Sequence, residues 1–456
     1  MEFGKIHKMK FTENNEIKSI SKVINFLAGA FTPRNLLILA LAAQIIFFII
    51  FAVLNKATWL RGDNNLYETP AWNLASGNGL TINRNEWEDP YLTELYYKAH
   101  PEKNGSDFIP AATFPGGYSY FLAMIYTFAG RSHLAAIIAN LALLCATVWL
   151  MYSIARRAFG DKVEFYFTMC LVLIFPLWAF WATIIITDTL HLFLLTLFAF
   201  AFFVDKPSFR RVLISGIILG LATVVRPYAL LIPIALLIGN WMFRCRTFNL
   251  KNTLTLTIIC SAFLGGWVLN NYYQFEKPII TSKGLGDGLW LSTQKDIFSD
   301  HNTWEEMNKR MAQLGITDFH RYHENQILLE DAIRRIKERP FRDALVTVTS
   351  MPRLWISTGG TETSVTGKIV LILVFSPLFV LMLVGGFLKR KSQNPIFVGT
   401  IVITAYFTLV FAHLNTEGRY IIPARFFSFL LISVALACFL RRYAPRLFSN
   451  NANAVK

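Results

Sequence analysis

Charge is what this chain has least of. Only 16% of its 456 residues are Asp, Glu, Lys or Arg, and 54% are hydrophobic. A soluble globular chain carries about 25% charged residues, so the shortage excludes a soluble fold of this length and points to a multispanning membrane protein. Cysteine is scarce as well. Cys145, Cys170, Cys245, Cys260 and Cys438 all lie in or beside apolar runs, with no CxxC and no metal-ligand spacing. They read as small buried hydrophobes. Acidic residues are fewer than basic ones, 29 against 44, for a formal net charge of +15. That excess would suit a nucleic acid if it covered a soluble face. Here it sits in short connections between apolar runs, which excludes that partner. The chain has no repeat, no low-complexity run and no separable soluble domain.

What is present is a succession of apolar runs. About 20 apolar residues cross a hydrocarbon core, and the runs 35–54, 133–154, 163–184, 189–204, 212–225, 228–243, 253–269, 368–388, 395–412 and 420–439 are read as spans. The first has no cleavage site after it and is expected to stay as a signal anchor. Residues 1–34 before it are basic, and 20–31 are expected to lie along the inner surface as an amphipathic helix. The connections 155–162, 205–211, 244–251 and 388–391 and the tail 441–456 are rich in Lys and Arg, whereas the alternate connections hold almost none. The positive-inside rule puts the rich set in the cytoplasm. That holds only if the apolar piece 118–130 lies on the outer surface, because a crossing there inverts everything after it. The chain therefore divides into a transmembrane core, 35–269, with a first outer loop, 55–132; a second outer segment, 270–367; and C-terminal spans, 368–440.

The spans carry almost no charge at mid-depth, which argues against a pump or transporter. The informative polar residues gather at the outer ends: Asp63, Asp188, Arg226, Arg353, Glu417 and Arg419. Asp63 reads either as the N-cap of a helix bearing Tyr67, Ala71 and Leu74, or as a general base at the membrane surface. Asp188, in TDT at a helix start, comes to the same face. Two carboxylates there suit a divalent cation, or a division of base and orienting roles. Arg226 and Arg419 are the lone cations of their loops, each beside a tyrosine, Tyr228 or Tyr420. Interfacial anchoring and a phosphate clamp are both open for them. In HRYHE, His320, His323 and Glu324 share a helical face but match no metalloprotease order, so a solvated face is expected. GLGDG (284–288) reads as a turn.

The pieces DNNLYETPAWNLASGNGL (63–80), FPGGYSYFLAMIYTFAG (114–130), YSIARRAFGDK (152–162), ITDTLHLFLLTLFAF (186–200), GLATVVRPYALLIPIALL (220–237), NNYYQFEKPIITSKGLGDGLWL (270–291) and EGRYIIP (417–423) appear in an order, spacing and sidedness that resembles the GT-C superfamily of membrane glycosyltransferases. The resemblance is strongest to the bacterial branch related to protein O-mannosyltransferases and lipid A aminoarabinose transferases. It implies an all-α polytopic bundle of about ten transmembrane helices with two large outer segments, in the plasma (bacterial inner) membrane. It further implies transfer of a sugar from a polyprenyl-phosphate donor to a glycan, lipid or protein acceptor at the outer face. Asp63 would be the catalytic base, and Asp188 would orient the acceptor, support Asp63 or share a divalent cation (Mg²⁺ or Mn²⁺) with it. Arg226, Arg419 or Arg353 would hold the donor phosphate, and Tyr67, Tyr228, Tyr420 and Glu417 would line the substrate site. The chain departs from the family where Pro115-Gly116 replaces Pro-Pro and where Asn64 replaces a second acid. Residues 292–367 carry no resemblance. The competing functions are a surface polysaccharide polymerase or ligase, a lipid-linked sugar flippase and a membrane scaffold.

Overall fold

The structure, a computed structural model, describes residues 32–54, 59–60, 62–85, 89–295, 304–316, 321–357, 365–414 and 417–443. The expected surface helix 20–31, His320 and the tail after Tyr443 lie outside the described residues. The chain opens with α1 (Pro33–Leu54), whose first residue is a proline where a missing N–H costs nothing. A loop segment follows, made of α2 (Asn65–Ala75), β1 (Thr81–Asn83), α3 (Pro90–Ala99), β2 (Phe108–Pro110) and α4 (Gly117–Ala129). The strands pair antiparallel, with Ile82 opposite Ile109. This short ribbon is the one departure from the all-α expectation among the described residues. Helix α4 is about 20 Å long by rise per residue, too short for a hydrocarbon core of about 30 Å.

The bundle continues through α5 (His133–Phe159), α6 (Val163–Ile174), α7 (Leu177–Ala182), α8 (Asp188–Phe203), α9 (Phe209–Val225), α10 (Ile232–Phe243) and α11 (Leu250–Phe275). A second loop segment holds α12 (Gly286–Gln294), α13 (Trp304–Gln313), α14 (Tyr322–Glu338) and α15 (Pro340–Ile356), and α16 (Val365–Lys389), α17 (Pro395–Leu414) and α18 (Ile422–Tyr443) close the chain. Six helices, α1, α5, α11, α16, α17 and α18, are long and apolar enough to cross a membrane; α6, α8 and Pro227–Phe243 are shorter apolar helices. This is an integral membrane protein with a polytopic helical fold.

The expected single span 163–184 is broken. Helix α6 ends before Phe175-Pro176 and α7 restarts after it. The break and the far end of α7 both free carbonyls that lipid cannot satisfy, and a buried amide serves each. Gln44 of α1 donates to Val172 O (2.7 Å) and Phe175 O (3.0 Å). Asn140 of α5 donates to Ala182 O and Ile184 O, each at 3.2 Å.

The basic connections meet at one end of the bundle. Asp205 pairs with Arg157 (3.4 Å) and Arg211 (2.5 Å), and Arg441 with Glu164 (2.8 Å). These groups belong to the ends of α5, α8, α9, α6 and α18 that lie opposite Asp188, Arg226 and Arg419. The polar residues singled out in the sequence therefore share the other end, called the site end below.

A cation is buried inside a span, near its site end rather than at mid-depth. Arg425, one turn into α18, is buried. Its Nη2 donates to Leu354 O (3.1 Å), Trp355 O (2.7 Å) and Ser357 O at the end of α15. The acceptors explain why a cation is tolerated there: a helix end lies beside it with carbonyls to satisfy.

Candidate active site

Six chain segments build the site. Asp63 lies in a 3₁₀ turn (Gly62–Asn64) just after α1, and the residue at the N-cap of α2 is Asn64, whose side chain makes no capping bond. The capping reading of Asp63 therefore fails by one residue. Asn64, in the position of the family's second acid, is instead structural. It is buried and donates to Trp59 O (2.8 Å), the same carbonyl that accepts from Ile185 N (3.1 Å). One carbonyl thus ties the Asp63 turn to the loop that delivers Asp188. Helix α2 is fixed in turn by Glu68, which takes a two-pronged ion pair from Arg131 (2.8 and 2.5 Å), and by Ser119 Oγ donating to Tyr67 O (3.0 Å). The start of α4 packs on the end of α9 so closely that a Cβ on Gly117 would lie 2.5 Å from Val224 O. Only glycine allows that backbone approach, two residues from Arg226.

Asp188 is the first residue of α8, where the helix dipole favours a carboxylate, and Arg226 follows the last residue of α9. Every arm of the Arg226 guanidinium is engaged. Nη2 pairs with Asp188 Oδ2 at 2.7 Å, Nε donates to Thr187 Oγ1 at 2.7 Å and Nη1 donates to Tyr228 OH at 2.7 Å. This pair is sealed, with 2% of the Asp188 side chain exposed.

Asp63 is in contrast reachable, at 29%. Its carboxylate meets Lys283 Nζ at 2.8 Å and Arg419 Nη2 at 3.7 Å. Arg419 also pairs through Nε with Glu417 (3.1 Å) and donates to Tyr420 OH (2.8 Å). The Tyr420 ring lies between the two arginines, 4.8 Å from the Arg419 guanidinium and 5.4 Å from that of Arg226, within cation–π range of both. Burial alone would lower the Arg419 pKa, but Tyr420, Asp188 and Glu417 outweigh it and hold it above its ordinary value. Tyr67 stacks on Phe114 with ring centroids 5.0 Å apart. Burial pushes its hydroxyl well above the usual phenol range, and it feels the charges of Arg226, Asp63 and Arg419. It is a neutral donor facing the cluster.

The structure thus brings together Asp63, Tyr67, Asp188, Arg226, Tyr228, Glu417, Arg419 and Tyr420. Arg353 donates to Thr349 and Ser350 of its own helix. His323 stacks on Tyr91 (5.4 Å) and Glu324 pairs with Arg321 (3.9 Å), so these two serve in packing. Among the described residues no group of three or more His, Cys, Asp and Glu is placed to hold a metal. The two carboxylates do not fit a shared divalent cation, because each already faces its own cationic side chains.

Sequence reasoning missed Lys283. Its signal was the glycine turn behind it: Gly284 has φ +104°, which lets the chain reverse directly after the lysine. The segment before it is pinned to the first loop segment by Thr281 Oγ1 donating to Thr113 O (2.6 Å) and Ser282 N to Ala112 O (3.0 Å).

Residues 115–266, a third of the chain, match the family model described as dolichyl-phosphate-mannose-protein mannosyltransferase. The match includes Asp188 and Arg226. No curated protein matches by sequence. Among solved structures, the archaeal oligosaccharyltransferase AglB of Archaeoglobus fulgidus, in complex with an inhibitory peptide and a dolichol-phosphate, aligns over 94% of this chain with TM-score 0.53 and 12% identity. The fold resembles that of this archaeal oligosaccharyltransferase. The chain spans about half the length of AglB, 52%. An Archaeoglobus fulgidus oligosaccharyltransferase tethered to an acceptor peptide aligns over 91% of this chain and 51% of its own, with TM-score 0.47 and 13% identity. ArnT of Cupriavidus metallidurans, bound to undecaprenyl phosphate, aligns over 90% of this chain and 79% of its own, with TM-score 0.38 and 12% identity. In this chain the helical bundle supplies the scaffold, and the cluster above occupies the ends of its helices.

Proposed function

We propose that the protein is a glycosyltransferase that moves a sugar from a polyprenyl-phosphate donor to an acceptor hydroxyl at the outer face of the membrane. The observation that carries this reading is the Asp63–Lys283–Arg419 constellation: one reachable carboxylate and two cations, drawn from three distant segments. The GT-C-like fold and the family match of 115–266 support it. So does the positive-inside pattern, which puts the basic end in the cytoplasm. Nucleotide sugars are made in the cytoplasm, so a transferase working on the outer side takes its sugar from a lipid.

In this reading Asp63 accepts the proton of the acceptor hydroxyl. The acceptor oxygen bonds to the anomeric carbon as the bond from that carbon to the phosphate oxygen breaks, and the lipid phosphate leaves with the bonding pair. One displacement inverts the anomeric centre. Lys283 and Arg419, both beside Asp63, take up the charge that develops on the leaving phosphate. Arg226 has its donors committed to Asp188, Thr187 and Tyr228. It acts with Asp188 as a positioning pair that sets Tyr420, and with it Arg419, in place. Tyr67 donates to substrate oxygen, and Tyr228, Tyr420 and Glu417 complete the wall.

The test is purified protein in detergent with a polyprenyl phosphate bearing a radiolabelled sugar, supplied with an envelope fraction as acceptor. The expected result is label leaving the lipid with wild type and staying on it with Asp63→Asn. Label that stays lipid-linked with wild type, or crosses a bilayer still linked, overturns the proposal and favours a flippase.

A further inference from the structure

Helix α15 has two faces, and its outward face lacks any polar residue. Its exposed positions are Pro340, its first residue, and Phe341, Ala344, Leu345, Val348 and Pro352, of which the last five share one stripe at 3.6 residues per turn. Phe341 is 90% exposed, Leu345 47% and Val348 58%. A soluble loop segment would present charge there. The opposite face, Asp343, Val346, Ser350 and Leu354, is buried.

The helix also descends along α17. Thr347 Oγ1 lies 2.9 Å from His413 Nδ1, next to the site end of α17, whereas Trp355 Nε1 donates to Thr408 Oγ1 (3.1 Å). Thr408 lies six residues before the end of α17, about 9 Å lower by helix rise. The carbonyls at the foot of α15 are taken by Arg425 rather than left to water, as a helix end buried away from water requires. The corner above the stripe is basic: Arg334, Lys337 and Arg339 are exposed there, with Glu338 the one exposed acid among residues 331–340. Apolar residues below and cations above suit a helix that dips from the headgroup layer into hydrocarbon. The stripe also continues a lipid-facing surface, because Ile369, Ile372 and Leu373 of the neighbouring span α16 are exposed.

We propose that α15 is a membrane anchor. Phe341, Leu345 and Val348 sit in the hydrocarbon of the site-side leaflet, and Arg334, Lys337 and Arg339 sit among anionic phospholipid headgroups. The anchor holds the segment α12–α14 down over the site end, and it stands whether or not the proposed transfer is right. The expected second outer segment, 270–367, is then not wholly outside the membrane.

The full chain in lipid nanodiscs tests it. Cysteine is introduced singly at Phe341, Leu345 and Val348, and at Glu330 on the exposed side of α14 as a control. Each variant is labelled with bimane, and the signal of identically labelled wild type is subtracted. Phosphatidylcholine with a doxyl group high on its chain is expected to quench the three stripe positions and spare Glu330, while aqueous iodide does the reverse. Lys337→Glu with Arg339→Glu is expected to weaken stripe quenching in discs containing phosphatidylglycerol, and not in discs of phosphatidylcholine alone. Iodide quenching of the stripe equal to that of Glu330 overturns the anchor. Shielding from both quenchers overturns it too, by showing that protein covers the face. An unchanged response of the charge-reversed variant in phosphatidylglycerol overturns the headgroup assignment.

Discussion

Asp63→Asn separates chemistry from stability, because the structure assigns the two different magnitudes. The replacement keeps the size of the side chain and its acceptor oxygen toward Lys283, and removes the charge. The capping bond that would have confounded the result is absent, since the residue at the N-cap is Asn64 and makes no side-chain bond. The lost ion pair with Lys283 has partial solvent access on both sides, 12% and 29%. Pairs with such access contribute about 1 kcal/mol or less, so thermal unfolding in detergent should shift by only a few degrees. A missing general base costs about 10²–10⁴-fold in rate. Lys283→Ala is the companion: loss of one donor to a developing oxyanion costs about 10²–10³-fold, with Asp63 left intact. The assay is release of labelled sugar from polyprenyl phosphate by each variant, alongside its unfolding temperature. Near wild-type turnover by Asp63→Asn would refute the base assignment. Full activity in Lys283→Ala would move the phosphate contact to Arg419 alone.

Three further outcomes follow from other contacts. Asp188→Asn leaves the sealed Arg226 guanidinium without its counter-charge and should cost about 3–5 kcal/mol; thermal unfolding reads it, and adding Arg226→Met should recover part of the loss. Arg425→Leu strips the donor from the foot of α15, at about 1–3 kcal/mol for each carbonyl left unsatisfied; faster tryptic cleavage near Arg339 and Arg342 is expected, with Arg425→Lys intermediate. Burial works to raise the Glu68 pKa, but Arg131 and His133 more than offset it and hold it below its ordinary value. The carboxylate therefore stabilises the docking of α2 above the unfolded pKa, about 4.3. That contribution is lost as pH falls through the folded value. Unfolding temperature against pH should show this acid limb in wild type and not in Glu68→Gln.

Why Lys283 and Arg425 escaped the sequence while Asp63 and Arg419 did not is a matter of what periodicity and charge placement encode. Apolar run length and loop charge give spans and sidedness, because each is set by the bilayer within one segment. The ends of spans then become the place to look, and Asp63, Asp188, Arg226 and Arg419 stand there as isolated charges. Lys283 stands 220 residues from its partner, Asp63, in a stretch already rich in ordinary loop residues, where Gly284 marks the turn behind it but nothing marks the partner. The break after α6 was equally hidden. Phe175-Pro176 reads as one apolar run with its neighbours, and the amides that serve the break and the far end of α7, Gln44 and Asn140, lie on other helices. Arg425 stands inside the apolar run 420–439, and nothing in its own segment marks what it pairs with. Its acceptors come from a helix that the sequence placed outside the membrane. The same misplacement hid the anchor face, since five apolar residues spaced along an outer helix look like a core stripe until the structure shows what they fail to cover. In each case the missing information is a pairing between remote segments. Proposals that rest on such pairings are the ones most exposed to mutation of either partner: if Lys283→Ala and Arg425→Leu both proved silent in transfer and stability, the remote contacts, and with them the site drawn here, would lose their support.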